Sequence, residues 1–403
     1  MGPSRTFLFL SQVYVPDPAA VGQHMADAAE ELVRRGHRVL VYTADRGYDD
    51  PAAVYPRRDR VNGVEVRRVP FSSFGKSSIA VRLVGGILFV AQAVARSVFQ
   101  RGVDAVVVST SPPVATIGAV IMASVHRARL KYWVMDVNPD QIVALGMAGA
   151  TSLPVRAFEW MNRVVLRRAS DVIVLDRLMA ARINAKLDVS HKVTTLPPWS
   201  ADQPEAMVPH ADNPFRAMHG LGSRIVVMYS GNHGPSNPLT TILAAAKRLQ
   251  DEPRLVFMFI GGGVGKTEVD EARLSNVVSL PYQPLSELKY SLSAADVHVV
   301  TVGDAIPGIV HPSKVYGAMA VGRPILLVGP AENHVAHILS SADIGWHVRH
   351  GDVDGTVRVL REIASLNASR LDEMGKLARA TIDAGGGKSG ACARVCDVLE
   401  RGV

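Results

Sequence analysis

Short apolar runs alternate along the chain with longer segments of helical period. Thr6–Leu10 reads as a first strand, and the loop Ser11–Val21 leads into an amphipathic helix from about Gly22 to Arg35. Arg38–Thr43, Val64–Val69, Ala105–Ser109, Lys131–Met135 and Val172–Leu175 follow as strands, most of them separated by helical stretches. Such alternation predicts a doubly wound parallel sheet, whose ligands bind at the carboxyl ends of the strands. The stretch from Pro197 to Pro214 is polar and proline-rich, and breaks the rhythm. The alternation then restarts with Ile225–Ser230, Leu255–Ile260, Val277–Leu280, Val297–Val300, Pro324–Val328 and Gly345–Val348. The expected layout is an N-terminal doubly wound domain over 1–200, a linker over 201–214 and a second doubly wound domain over 215–375. Helices over 376–403 follow, able to pack back on the first domain. The cleft between two facing domains is the default site.

Length supports this division, because 403 residues exceed one comfortable core. Charged residues make up 20% and hydrophobic ones 48%, which excludes a disordered chain. Lys+Arg 44 against Asp+Glu 37 gives +7, an excess suited to anionic ligands or an anionic membrane surface. The basic residues are diffuse and aromatic ones few, which argues against a nucleic-acid binder. Two cysteines, Cys392 and Cys396, have no cluster of ligating partners beside them, so no metal site is expected. They read as buried apolar residues in a reducing compartment. The N-terminus reads as a strand, not a signal peptide, and no apolar run reaches membrane-spanning length. A cytoplasmic protein follows, able to sit at the inner face of the membrane.

The stretch Ile309–Gly322 carries the strongest chemical signal. A helix opening at Pro312 would place Ser313 and Lys314 in its first turn, where free N–H groups and the helix dipole suit a diphosphate. An ordinary capped helix with a surface lysine fits this stretch equally well. Three loops after strands could line the same edge. Gly231-Asn232-His233-Gly234 allows close backbone approach to a phosphate or sugar. Gly261–Thr267, with Lys266, imitates a P-loop, but Ile260 stands where the Walker pattern needs glycine. Tyr282-Gln283-Pro284 could hold a planar base.

In the first half, no GxGxxG follows the first strand, although Gly22 lies at the right place. Asp136 closes a buried strand, and Asn138-Pro139-Asp140 supply turn chemistry. A carboxylate there suits a site group or an Asx-turn equally. The segment Lys76–Arg101 has an uncharged middle with basic rims. It fits a buried helix, the favoured reading, or a basic–apolar helix resting on a membrane.

The chain resembles the bacterial retaining glycosyltransferases of the GT-B fold, family 4, especially the subgroup that builds surface polysaccharides on lipid carriers. The matching stretches are Gly36–Val41, MDVNPD at Met135–Asp140, YSGNHG at Tyr229–Gly234 and PSKVYGAMAVGRPIL at Pro312–Leu326. The resemblance implies two Rossmann-like domains and transfer of a sugar from a nucleotide-sugar donor, with retention and without a bound metal or resident cofactor. A UDP-sugar is the favoured donor. It also implies a diphosphate on the helix start at Pro312 and on the Gly22 loop, and a base near Tyr282 and Gln283. His311, Ser313 and Tyr316 share the helix-start region of the substrate site.

Two family glutamates flanking this helix start have no counterpart, since Ile309 and Gly317 stand there. The family's basic pair is also missing, with Pro235 and Pro238 in its region. Lys314, with Lys266, is expected to replace that charge. Sugar recognition then rests on backbone around Gly308–His311 and on Glu332 and Asn333. Lys314 would stabilise the leaving diphosphate and Asp136 would orient the acceptor, a lipid-linked sugar or small-molecule glycan. The competing readings are a nucleotide-sugar epimerase or hydrolase on the same fold, and a non-catalytic sugar-nucleotide binder.

Overall fold

A computed structural model describes residues 3–17, 19–47, 52–72, 79–200 and 207–403. The chain forms two compact units, one running through Pro198 and taking in Ser389–Val403, the other spanning Trp199–Lys388.

The first unit is built on eight strands: β1 (Thr6–Leu10), β2 (Arg38–Ala44), β3 (Arg58–Val61), β4 (Val64–Val69), β5 (Ala105–Ser109), β6 (Arg129–Trp133), β7 (Asp171–Val174) and β8 (Val193–Thr195). Their order is β3-β4-β2-β1-β5-β6-β7-β8, parallel except for the β3–β4 pair. The central strands β1 and β5 are almost wholly apolar and buried, as a sheet covered on both faces requires. The pattern misses β3, whose Arg-Asp-Arg-Val offers one apolar residue. The signal was the next dipeptide: Asn62 and Gly63, at φ +47° and +87°, make the tight turn that aligns Val61 with Val64.

The second unit holds β9 (Ile225–Ser230), β10 (Leu255–Ile260), β11 (Val277–Leu280), β12 (Val297–Thr301), β13 (Ile325–Val328) and β14 (Gly345–Val348). All are parallel, in the order β11-β10-β9-β12-β13-β14. The order reverses between β9 and β12, and in the first sheet between β1 and β5. These reversals open the crevices at which such sheets take ligands.

Two domain boundaries need correction. Residues 207–214 are part of the second unit: His210 bonds the Ala295 carbonyl and Asn213 that of Tyr290. Residues 201–206 of the expected linker, Pro204 among them, lie outside the described residues. The boundary at 375/376 falls within one helix, Ala368–Ala384, because that helix packs on Lys314–Ala320 of its own unit. The chain returns to the first unit only with helix Gly387–Glu400. There the buried Lys131 ammonium donates to Asp171 at 2.6 Å and to the carbonyls of Val398 and Arg401. Arg35 adds bonds to Asp397, Glu400 and the Ala393 carbonyl. Cys392 and Cys396 are free and buried on this helix.

The helix Ile79–Ser97 buries Phe89 and Ala93 against the sheet while leaving Leu83, Val84, Ile87 and Leu88 exposed. Simple burial is therefore corrected, since the helix is apolar on its outer side as well. Lys76 lies outside the described residues. Among the described residues, no helix is long and apolar enough to cross a membrane.

Candidate functional site

The crevice between β9 and β12 in the second unit gathers most of the sequence candidates. β9 ends at Ser230, and the chain turns at Gly231, where φ is +128°. A Cβ there would meet Lys314 Cε at 2.7 Å, so both the backbone and the passing lysine require glycine. The Lys314 ammonium lies over the Tyr229 ring, 5.2 Å from its centroid. Desolvation lowers its pKa to about 8. Among the described residues no carboxylate offsets this charge, and a half-buried cation left this way is poised for an anion.

The loop beside it is rigidly held. Tyr229 donates to the Asn232 carbonyl at 2.7 Å, the His233 N–H to Gly262 and the Gly265 N–H to His233. His233 is buried, and its pKa is lowered by desolvation, then by Lys266, with Lys314 adding less. Its Nε2 is buried without a hydrogen-bond partner. The ring of Tyr282 packs on Gly262, 3.1 Å from where a Cβ would stand, while Gln283 is partly buried and donates to the Pro281 carbonyl.

The helix start differs from expectation. The helix runs Lys314–Ala320, with Ser313 at its cap position but making no side-chain cap bond. Pro312 precedes it, its carbonyl accepting from Val315 N–H. His311 is tied to Tyr316: its Nε2 lies 2.9 Å from the phenol oxygen, and His334 Nε2 approaches the same oxygen at 2.8 Å. His334 was missed, because nothing local marks a partner 18 residues away.

Three other candidates have structural roles. Lys266 donates to the Leu280 carbonyl at 2.7 Å, so part of its hydrogen-bonding capacity is committed. Asn333 is buried and caps helix His334–Ser341, accepting from Val335 and Ala336 N–H and donating to Pro330. These bonds give the amide a capping role and leave one of its two N–H donors for a ligand. Glu332 stays exposed, 3.5 Å from His337. Ile309 is buried in apolar packing, and Gly317 has only Leu292 and Ser200 within 4 Å of an added Cβ.

In the first unit, Asp136 stands just past β6, at the carboxyl edge. Its N–H donates to Thr110 Oγ1, on the loop after β5. Desolvation raises its pKa to about 6, and no cation or hydrogen bond counters the shift. Asn138 accepts from Asn162 through its carbonyl, and Asp140 pairs with Lys186. Gly22 lets the helix Ala20–Arg34 press on the Tyr14 backbone, with a Cβ site only 3.1 Å away. Close packing alone is enough to require glycine at this position.

Comparison with known proteins agrees with this architecture. Residues 19–199 match the family model described as "Glycosyl transferase 4-like domain". A probable glycosyltransferase of Pseudomonas aeruginosa, WbjE, is 28% identical over 59% of this chain and 61% of its own length. The chain thus spans less than two thirds of that relative. A putative colanic acid biosynthesis glycosyl transferase of Escherichia coli (strain K12), WcaI, is 26% identical over 81% of this chain and 83% of its own. Among solved structures, Anabaena HepE in complex with UDP and glucose gives a TM-score of 0.72 at 16% identity, covering 98% of this chain and 99% of that one. WaaG, a glycosyltransferase involved in lipopolysaccharide biosynthesis, gives 0.72 at 18%, covering 98% and 100%. The chain has the GT-B fold, and its residues 19–199 are similar to the glycosyl transferase 4-like domain.

Proposed function

We propose that the chain is a retaining glycosyltransferase of surface-glycan biosynthesis, taking a nucleotide-diphosphate sugar in its second unit and a glycan acceptor in its first. The observation that carries this reading is Lys314, a desolvated ammonium without a carboxylate partner at the β9–β12 crevice. Charge that develops on a leaving diphosphate is stabilised by a cation already in place, since no reorganisation is needed as it forms. Lys314 supplies that charge in place of a metal ion. Retention follows if the acceptor hydroxyl attacks on the leaving-group face, its proton passing to the diphosphate as the new glycosidic bond forms and the sugar–phosphate bond breaks. Asp136, ionised above about pH 6, orients the acceptor. A UDP-sugar is the donor favoured, as HepE was solved with UDP and glucose.

Calorimetric titration with UDP-, GDP- and dTDP-sugars in the presence of a chelator tests this reading. One nucleotide is expected to bind, and Lys314→Ala should weaken it tenfold or more, about 1.4 kcal/mol. If none binds, the donor assignment is wrong.

A further inference from the structure

We propose that one helical face of the first unit rests on an anionic bilayer. The face is made by helices Ile79–Ser97, Ala115–His126 and Leu153–Arg168, which pack side by side. Right-handed crossovers from β4 to β5, β5 to β6 and β6 to β7 all run in one direction across the sheet, and so place the three helices on the same side. The opposite side is covered by Ala20–Arg34 and the returning helix Gly387–Glu400, where Cys396 meets the Ala28 carbonyl.

The outer surface of the three helices is apolar over a wide area. Val84, Ile87 and Leu88 form a stripe on the first helix, which continues to Phe99 just beyond its end, 84% exposed. Val125 extends the patch on the second helix. Leu153 and Trp160, 77% and 60% exposed, carry it along the third. A contiguous exposed surface of this kind marks an interaction site.

Charge selects the partner. The three helices carry six arginines and a single acid. That acid, Glu159, is paired with Lys186. Arg82 and Arg96 on the first helix, with Arg156 and Arg163 on the third, are exposed among the apolar residues. A second copy docked by this face about a two-fold axis would set arginines against arginines. A sheet of anionic headgroups over acyl chains matches both the charge and the apolar stripe. The third helix and the loop holding exposed Met147 follow β6, so the apolar area reaches the edge that carries Asp136. An amphiphilic acceptor held in that bilayer would lie beside it. This last consequence rests on the transferase reading; the docking does not.

The test uses the full chain with vesicles of phosphatidylglycerol or of phosphatidylcholine, followed by co-sedimentation and by the emission of Trp160. Binding to phosphatidylglycerol with a blue shift that Trp160→Phe removes is expected, with little binding to phosphatidylcholine and weakening by salt. Arg82→Glu with Arg96→Glu should reduce partitioning at least about tenfold, and Ile87→Glu should do so while leaving sugar-nucleotide binding intact. Equal partitioning into both lipids, or none, would overturn the proposal. So would a concentration-dependent dimer that Ile87→Glu dissolves. Vesicle binding without nucleotide binding would instead leave the surface standing and remove the donor assignment.

Discussion

Asp136 in the first unit follows the end of a parallel strand, and Lys314 in the second opens a helix and passes Gly231, just past the end of another. Both are withdrawn from water without a countercharge, and their pKa values move in opposite directions, to about 6 and about 8. Lys131 and Asp171 show the alternative: both are buried, yet they pair directly at 2.6 Å. The fold therefore satisfies buried charge where it builds structure and leaves it unsatisfied at the strand ends. The unmatched charges also differ in sign, a carboxylate in one unit and an ammonium in the other, and the proposed roles divide with them.

The comparison breaks most sharply in turnover. Lys314→Met should lower kcat about 10²–10³-fold, as loss of one preorganised charge-stabilising donor does. Asp136→Asn should cost less, about tenfold, because orientation of the acceptor is only partly lost. Equal losses in donor affinity for both variants would contradict the division of roles.

Stability should move the other way. A carboxyl whose pKa rises from 3.8 to about 6 on folding binds extra protons in the folded state, so its burden is absent below pH 3.8 and complete above about 6. A lysine lowered from 10.5 to about 8 burdens the fold below pH 8 and ceases to do so above 10.5. At pH 7, Asp136→Asn and Lys314→Met should each stabilise by about 1–3 kcal/mol in urea unfolding. The gain from Asp136→Asn should vanish below pH 4 and that from Lys314→Met above pH 10.5. Stabilisation that ignores pH would mean the charges are already compensated.

The smallest expected effect separates structure from chemistry. Asn333→Ala should cost about 1 kcal/mol of stability through the lost cap, with donor affinity unchanged. A specific fall in donor affinity would assign Asn333 to the sugar as well.

Much of this was legible from local pattern. The runs Val64–Val69, Ala105–Ser109, Ile225–Ser230, Leu255–Ile260, Val277–Leu280 and Gly345–Val348 form strands at the bounds their apolar residues predict. Lys314 was legible as well, although the helix opens at it and not at Pro312 as the proline suggested. Roles that depend on contacts distant in sequence were not. The passage of Lys314 over Gly231, and the meeting of Tyr316 with His334, follow only once β9, β12 and β13 lie side by side. Gly22 illustrates the converse: its position suggests a phosphate loop, and its neighbour proves to be the Tyr14 backbone.

The grip of Lys131 on the carbonyls of Val398 and Arg401 sets an order of assembly during translation. Domains ordinarily fold as they emerge, N-terminal first. Here that ammonium has Asp171 but neither of these two carbonyls until residues beyond 389 have left the ribosome. A nascent chain stalled after the second unit would hold its first unit open at this seam, with buried Cys392, Val395 and Leu399 missing from the interface that covers Ala20–Arg34. The half of the molecule made first thus closes only after the segment holding Val398 and Arg401 has been made.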